Sequence, residues 1–148
     1  MATMLEMAQR MIAGERPQAP FPALVGMTLT AVEAGRARME MSVDARHANP
    51  MGTLHGGVAC TMADSAMGLA YASTLDEHET FTTLELKINF LRPVWSGRLV
   101  AEGVVVSRGK TVGLAECNVT DEKGRLIAKA SSTCLTLREP QQERSKTR

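Results

Sequence analysis

Residues 55–64, HGGVACTMAD, place two unlike chemical groups in one segment. Gly56 and Gly57 stand where a helix would begin, and a helix N-terminus presents N–H groups without intrahelical partners together with a partial positive charge. Residues without side chains let another group approach those donors closely, although each costs up to about 1 kcal/mol relative to Ala inside a helix. The pair fits two arrangements. One is tight packing of the helix on a strand; the other is an oxyanion hole, with donors aimed at the negative charge developing on a carbonyl oxygen.

Asp64 is the second group. Aspartate is a poor residue for a helix interior, and its neighbours Met62, Ala63, Ala66 and Met67 are apolar. A buried carboxylate is costly unless paired, and burial raises its pKa. Asp64 could be hydrogen-bonded across a subunit contact, could share a narrow solvated stripe with Thr61, or could be a nucleophile or a general base on water. Spacing adds a constraint. Seven residues separate Gly57 from Asp64, about 10 Å at ~1.5 Å per residue. One carbonyl cannot lie within roughly 3 Å of both. If both act on it, Asp64 comes from a symmetry-related copy, and the site is a dimer-interface site occurring twice.

The elements that must hold these groups follow from periodicity. Residues 3–13 repeat Met4, Leu5, Ala8, Met11 and Ile12 at helical spacing. A Pro-rich connector follows. From Leu29 to Val43 apolar and polar residues alternate, with Ala37, Met39, Met41 and Val43 on one face, which predicts a half-buried strand. Residues 44–54 form a loop. Residues 55–73 are apolar nearly all round and predict a long helix enclosed by other structure. Four strands follow, at 82–91, 98–108, 111–120 and 125–137. Gly109-Lys110 is a two-residue hairpin between the second and third of these, and DEKG joins the last two. The class is α+β, a long buried central helix wrapped by an antiparallel sheet, with a short N-terminal helix. Residues 1–20 hold the N-terminal helix and connector, 21–138 one domain, and 139–148 a polar tail of disorder-prone composition.

Bulk properties exclude several classes. The 148 residues carry a net charge of +1 and only 3% aromatics, so neither a nucleic-acid surface nor a polybasic membrane patch is expected. No stretch approaches the ~18 apolar residues of a membrane span, and the N-terminus lacks the apolar core of a signal peptide. Cys60, Cys117 and Cys134 have no CxxC spacing, and His47, His55 and His78 no metal-ligand spacing, so free thiols, a cytoplasmic location and no metal or resident cofactor are expected. There is no G-x-S-x-G elbow, no P-loop and no G-x-G-x-x-G.

The combination N-P-M-G-T-L-H-G-G-x6-D-S-A followed by T-L-E-L-K-I-N-F-L-R-P resembles the hotdog-fold acyl-CoA thioesterases of the phenylacetic-acid-degradation type, over about residues 25–137. The resemblance implies a curved sheet around the central helix, two protomers sharing a ten-stranded sheet, and a homotetramer as dimer of dimers. It implies hydrolysis of an aryl- or medium-chain acyl-CoA to free acid and coenzyme A, the latter entering only as part of the substrate. By position, Asp64 matches the catalytic acid, and Gly56 the backbone donor to the thioester carbonyl, with Gly57 beside it. Asn49 matches a polar residue near the thioester or its water, and His55 the motif histidine, which orients or caps. Thr83 matches a Ser/Thr that positions the water or the aspartate, yet strict alternation puts Thr82, not Thr83, on the face of Leu84, Leu86, Ile88 and Phe90. A bulge at the strand start, or a site on the other face, would reconcile the two. Arg92, and Arg108, Gly109 and Lys110 at the hairpin, match positions that meet the nucleotide end of coenzyme A; a solvated turn is the alternative for the hairpin. A non-catalytic acyl-CoA-binding protein and a hotdog dehydratase are the competing functions, the second lacking its motifs here.

Overall fold

The computed structural model describes residues 2–138, so the tail read at 139–148 lies outside the described residues. The N-terminal helix α1 (Met4–Ile12) is opened by a reciprocal cap: Glu6 N–H donates to the Thr3 hydroxyl, and Thr3 N–H to the Glu6 carboxylate. Within the Pro-rich connector a short helix, α2 (Pro20–Val25), forms where Pro20 occupies the first turn and Gly26 ends it.

The segment expected as one strand from Leu29 to Val43 is a hairpin instead: β1 (Met27–Glu33) and β2 (Arg36–Val43). The alternation holds only within β2, whose Ala37, Met39, Met41 and Val43 are buried as expected. The chain reverses at Ala34-Gly35, and this turn is tied down from outside. Gly35 N–H donates to the Ser73 hydroxyl at 2.8 Å, and Val105 N–H to the Gly35 carbonyl at 2.9 Å.

The central helix α3 (Gly56–Ala72) is followed by β3 (Glu79–Phe90), β4 (Gly97–Arg108), β5 (Val112–Asp121) and β6 (Leu126–Arg138). All strands join one antiparallel sheet in the order β1-β2-β4-β5-β6-β3. Six strands per chain, against the five implied by a ten-stranded pair, follow from the β1–β2 hairpin. The β4–β5 turn is centred one residue later than expected: Gly109 N–H donates to the Val112 carbonyl, so Lys110-Thr111 form its tip.

Helix α3 lies across the sheet and touches every strand. Its approach to β4 is close enough to dictate a residue type. A Cβ on Gly103 would fall 2.3 Å from the Ala66 carbonyl oxygen, so only glycine fits beneath that turn. Met39, Met62, Met67 and Leu99 fill the space between helix and sheet and are fully buried. Methionine is here a core filler, its flexible thioether adapting to the gaps.

The helix is not apolar all round. Gly57, Thr61 and Asp64, spaced four and three, form a stripe that the sheet leaves largely uncovered, while Gly68 beyond them faces the Phe81 ring of β3. The aspartate is thus accommodated on an open edge of a mostly buried helix.

Candidate active site

His55 is the N-cap of α3 in extended backbone, and its Nδ1 accepts the Gly57 N–H at 2.9 Å. A Cβ on Gly57 would lie 3.0 Å from that nitrogen, so the cap fills the space over Gly57. The Val58 N–H is taken by the His55 carbonyl. Gly56 N–H has no partner among the described residues and is the open donor of the helix end. The ring of Phe90 covers the Gly56 Cα, where a Cβ would sit 2.9 Å from Cζ. Gly56 therefore serves tight packing and an accessible N–H together.

The loop before the helix is held rigidly. Asn49 Oδ1 accepts N–H bonds from Met51 and Thr53, and its Nδ2 donates to the Thr53 hydroxyl at 2.9 Å. One amide N–H of Asn49 remains to point outward. His47 is the anchor that motif reasoning passed over. It is buried, its Nδ1 accepts the Asp44 N–H, its Nε2 donates to the Val25 carbonyl at 2.7 Å, and its own carbonyl accepts the His55 N–H. The only sequence signal for it was a histidine eight residues before the cap. Asn49, Gly56, Phe90 and Arg92 border one open groove of about 480 Å³, floored by Leu54, Ala59 and Ile127.

Asp64 lies elsewhere. It is eight residues along an unbroken helix from Gly56, about 12 Å of axial rise. Its carboxylate has no hydrogen bond or ion pair among the described residues. Although the side chain is open on the stripe, surrounding protein displaces enough water to raise its pKa above 3.8. Its neighbourhood includes Cys60, whose thiol is pushed up by burial and then by the Asp64 charge. Cys134 is also near; burial raises its thiol most, with the Thr83 hydroxyl acting in the opposite direction.

Thr83 is thereby placed on the helix side of the sheet, paired in register with buried Cys134. The register then slips: Thr83 faces Cys134 and Glu85 faces Thr133, leaving Leu84 as the extra residue of a bulge. Before it Phe81 and Thr83 face α3; after it Leu86 and Ile88 pack against the core. The bulge puts Thr83, and not Thr82, on the face of Leu86 and Ile88.

The cations divide. Arg92 borders the Gly56 groove and has no ion-pair partner among the described residues. Arg108 belongs to the opposite end of α3. Its guanidinium binds Glu79 at 2.9 Å, the Thr74 hydroxyl and the Gly109 carbonyl, and it covers the Tyr71 ring at 5.1 Å. Glu79, 7% exposed, also holds Arg138. Lys110 extends from the same turn with its side chain exposed. One chain thus brings together Asn49, Gly56 and Arg92, and separately Asp64 and Thr83, but does not bring Arg108, Gly109 or Lys110 to Gly56. Among the described residues no group of three or more His, Cys, Asp or Glu side chains is placed to hold a metal ion. No helix among them is long and apolar enough to cross a membrane.

A single helix laid on one antiparallel sheet, with a glycine-opened N-terminus, defines a hotdog-fold thioesterase. Residues 51–128 match the family model of the Thioesterase superfamily, and the chain belongs to that family. It is 36% identical over 101 residues to the proofreading thioesterase EntH of Klebsiella pneumoniae, covering 68% of this chain and 74% of that one. Human acyl-coenzyme A thioesterase 13 is 27% identical, with 90% and 96% covered. A phenylacetic acid degradation-related protein from Ralstonia eutropha JMP134 superimposes with a TM-score of 0.78 at 28% identity, with 86% and 98% covered. The enzyme class is a hydrolase of thioester bonds.

Proposed function

We propose that the chain hydrolyses an aryl- or medium-chain acyl-CoA at a site completed by two copies. Gly56 N–H of one protomer polarises the thioester carbonyl, and Asp64 of the other acts as nucleophile or as general base. The observation that carries this reading is the unpartnered Asp64 carboxylate, about 12 Å along a continuous helix from an unpartnered Gly56 N–H. Two antiparallel α3 stripes, packed face to face about a two-fold axis, set each Gly56 against the opposing Asp64. The edge of β3, which among the described residues pairs only with β6, supports the same assembly, since joining two such edges yields one twelve-stranded sheet.

In the general-base form the Asp64 carboxylate takes a proton from water as the oxygen attacks the carbonyl carbon. The carbon–sulfur bond breaks, and the thiolate of coenzyme A leaves and is protonated. In the nucleophilic form the carboxylate attacks first, and water then hydrolyses the mixed anhydride. Thr83 lies on the same side of the sheet as Asp64 and orients the carboxylate or its water. Asn49 holds the loop that places His55, with one N–H free for the substrate. Arg92 on one protomer, and the Arg108–Gly109–Lys110 hairpin from the other, supply charge near the phosphates of coenzyme A; Arg108 has most of its donors committed within the chain. No resident cofactor enters this chemistry.

Exposed Val106, Val112, Leu114 and Leu137 on the outer side of β4, β5 and β6 support a further pairing of dimers into a tetramer. Three free thiols fit the cytoplasm. The test is release of free thiol from a panel of aryl-, short-, medium- and long-chain acyl-CoAs, with Asp64→Asn losing most of the rate. Wild-type rates equal to uncatalysed hydrolysis across the panel sink the reading. Binding without turnover, unchanged in Asp64→Asn, identifies a non-catalytic acyl-CoA carrier instead.

A further inference from the structure

The groove at Gly56 shares one wall with a neighbouring groove. Arg92, Pro93, Val94 and Ile127 also line a second groove of about 330 Å³ that opens beyond it, toward the β3–β4 and β5–β6 turns. Its wall includes Trp95, the only tryptophan of the chain, with 65% of its surface exposed. An indole left that open, beside polar residues, forgoes burial worth about 25 cal/mol per Å² of apolar surface. Four cations line this groove, Arg92, Arg98, Lys123 and Arg125, against two carboxylates. Arg125 is engaged with Asp121 at 2.7 Å, and Arg98 with Glu40. Arg92 and Lys123 have no ion-pair partner among the described residues. Glu122 is likewise without a cation; its carboxylate lies against Gly97.

We propose that this second groove binds the nucleotide end of coenzyme A, with the adenine stacked on Trp95 and the phosphates held by Arg92 and Lys123. The inference rests on the reading of Gly56 as the thioester donor. The two grooves share a wall at Arg92, so a ligand extending from the reacting carbonyl past that residue meets the aromatic and cationic wall. A purine needs a flat π-surface and no base-specific hydrogen bonds, and an exposed indole flanked by free cations supplies that. The β4–β5 hairpin of the partner adds less, because its Arg108 is committed to Glu79 and Thr74 within its own chain. Glu122 has the wrong sign for a phosphate and weakens binding by repulsion.

Because Trp95 is the sole tryptophan, its fluorescence reports the groove without catalysis. Titration of the wild-type protein with coenzyme A is expected to quench or shift this emission saturably, and pantetheine, which lacks the nucleotide, to leave it unchanged. Trp95→Ala is expected to lower kcat/KM for an acyl-CoA about tenfold relative to kcat/KM for the same acyl group on N-acetylcysteamine. Glu122→Gln is expected to tighten coenzyme A binding severalfold, a gain that a folding defect does not produce. Emission unmoved by saturating coenzyme A overturns the assignment, as does an unchanged ratio in Trp95→Ala. If neither thioester is hydrolysed, the proposed function fails, while the fluorescence titration still decides the groove.

Discussion

The Nδ1 of His55 accepts the Gly57 N–H at 2.9 Å, and this one bond divides the labour of the two glycines. Gly57 is capped from within the chain, and Gly56 N–H is left without a partner among the described residues. His55→Ala removes the cap and is expected to cost about 1 kcal/mol in denaturant unfolding, whereas His55→Asn, with an acceptor of its own, recovers most of that. On the proposed mechanism the motif histidine is a positioning residue, and its loss is expected to lower kcat by loosening the helix end. A His55→Asn variant as inactive as His55→Ala but fully stable would instead give the ring a direct part in the reaction.

Gly56 can be tested for packing and donor separately. Gly56→Ala keeps the N–H but pushes on the Phe90 ring, and Phe90→Leu in the same chain is expected to relieve it. Gly56→Pro removes the N–H itself. Proline is tolerated at the first helical position, and His55 already has the extended backbone that a residue before proline needs. In the Phe90→Leu background, kcat for Gly56→Pro is expected about 10²–10³-fold below that for Gly56→Ala, the usual loss for an oxyanion-hole donor. Equal rates for the two remove Gly56 N–H from the mechanism.

Much of this arrangement was legible because it is periodic. The run from Gly56 to Ala72 lacks β-branched residues apart from Val58 and Thr61, and the β2 alternation of Ala37, Met39, Met41 and Val43 is unbroken. Both signals survive folding because the groups concerned are buried against one layer. What was not legible depends on partners distant in sequence. The turn at Gly35 is fixed by Ser73 and Val105, so alternation across it looked like one strand. The slip at Leu84 is set by pairing with β6, which strict counting along β3 cannot register. The commitment of Arg108 to Glu79 joins residues 29 apart. The openness of Asp64 depends on where the sheet stops covering α3, a property of the assembled layers.

The bulge makes a sharp contrast between adjacent residues. Thr83→Val removes a hydroxyl on the helix side near Asp64 and Cys134, and is expected to lower kcat by one to two orders of magnitude, about 1.4 kcal/mol per tenfold. Thr82→Val changes a residue on the opposite face and is expected to leave kcat within twofold. Parallel kinetics on the two variants check this, and equal losses would place the site on the outer face of the sheet.

The raised Asp64 pKa links activity and stability with opposite signs. Both proposed roles need the ionised carboxylate, so kcat/KM is expected to rise with pH through a value above 3.8. The folded carboxyl keeps its proton to higher pH than the unfolded one does. The stability this contributes is present below 3.8 and is lost as pH rises through the raised value. Asp64→Asn removes that slope and is expected to be at least as stable as wild type at neutral pH, by denaturant unfolding, while losing most activity. A variant that is both inactive and unstable would mean that the carboxylate holds the fold together.

The proposed division of the site between protomers predicts complementation. Asp64→Asn chains retain Gly56, and Gly56→Pro chains retain Asp64, so each homodimer lacks one half of both of its sites. A heterodimer of the two pairs an intact Gly56 with an intact Asp64 at one site and two altered residues at the other. With equal mixing, half of the dimers are heterodimers and half of their sites are whole. About a quarter of the wild-type activity should therefore return after co-refolding, from two preparations that are nearly inactive alone. Mixing without exchange of protomers should return none, which controls for simple addition. If Gly56 and Asp64 of the same chain served one thioester, no mixture would recover activity, because every site would carry a defect.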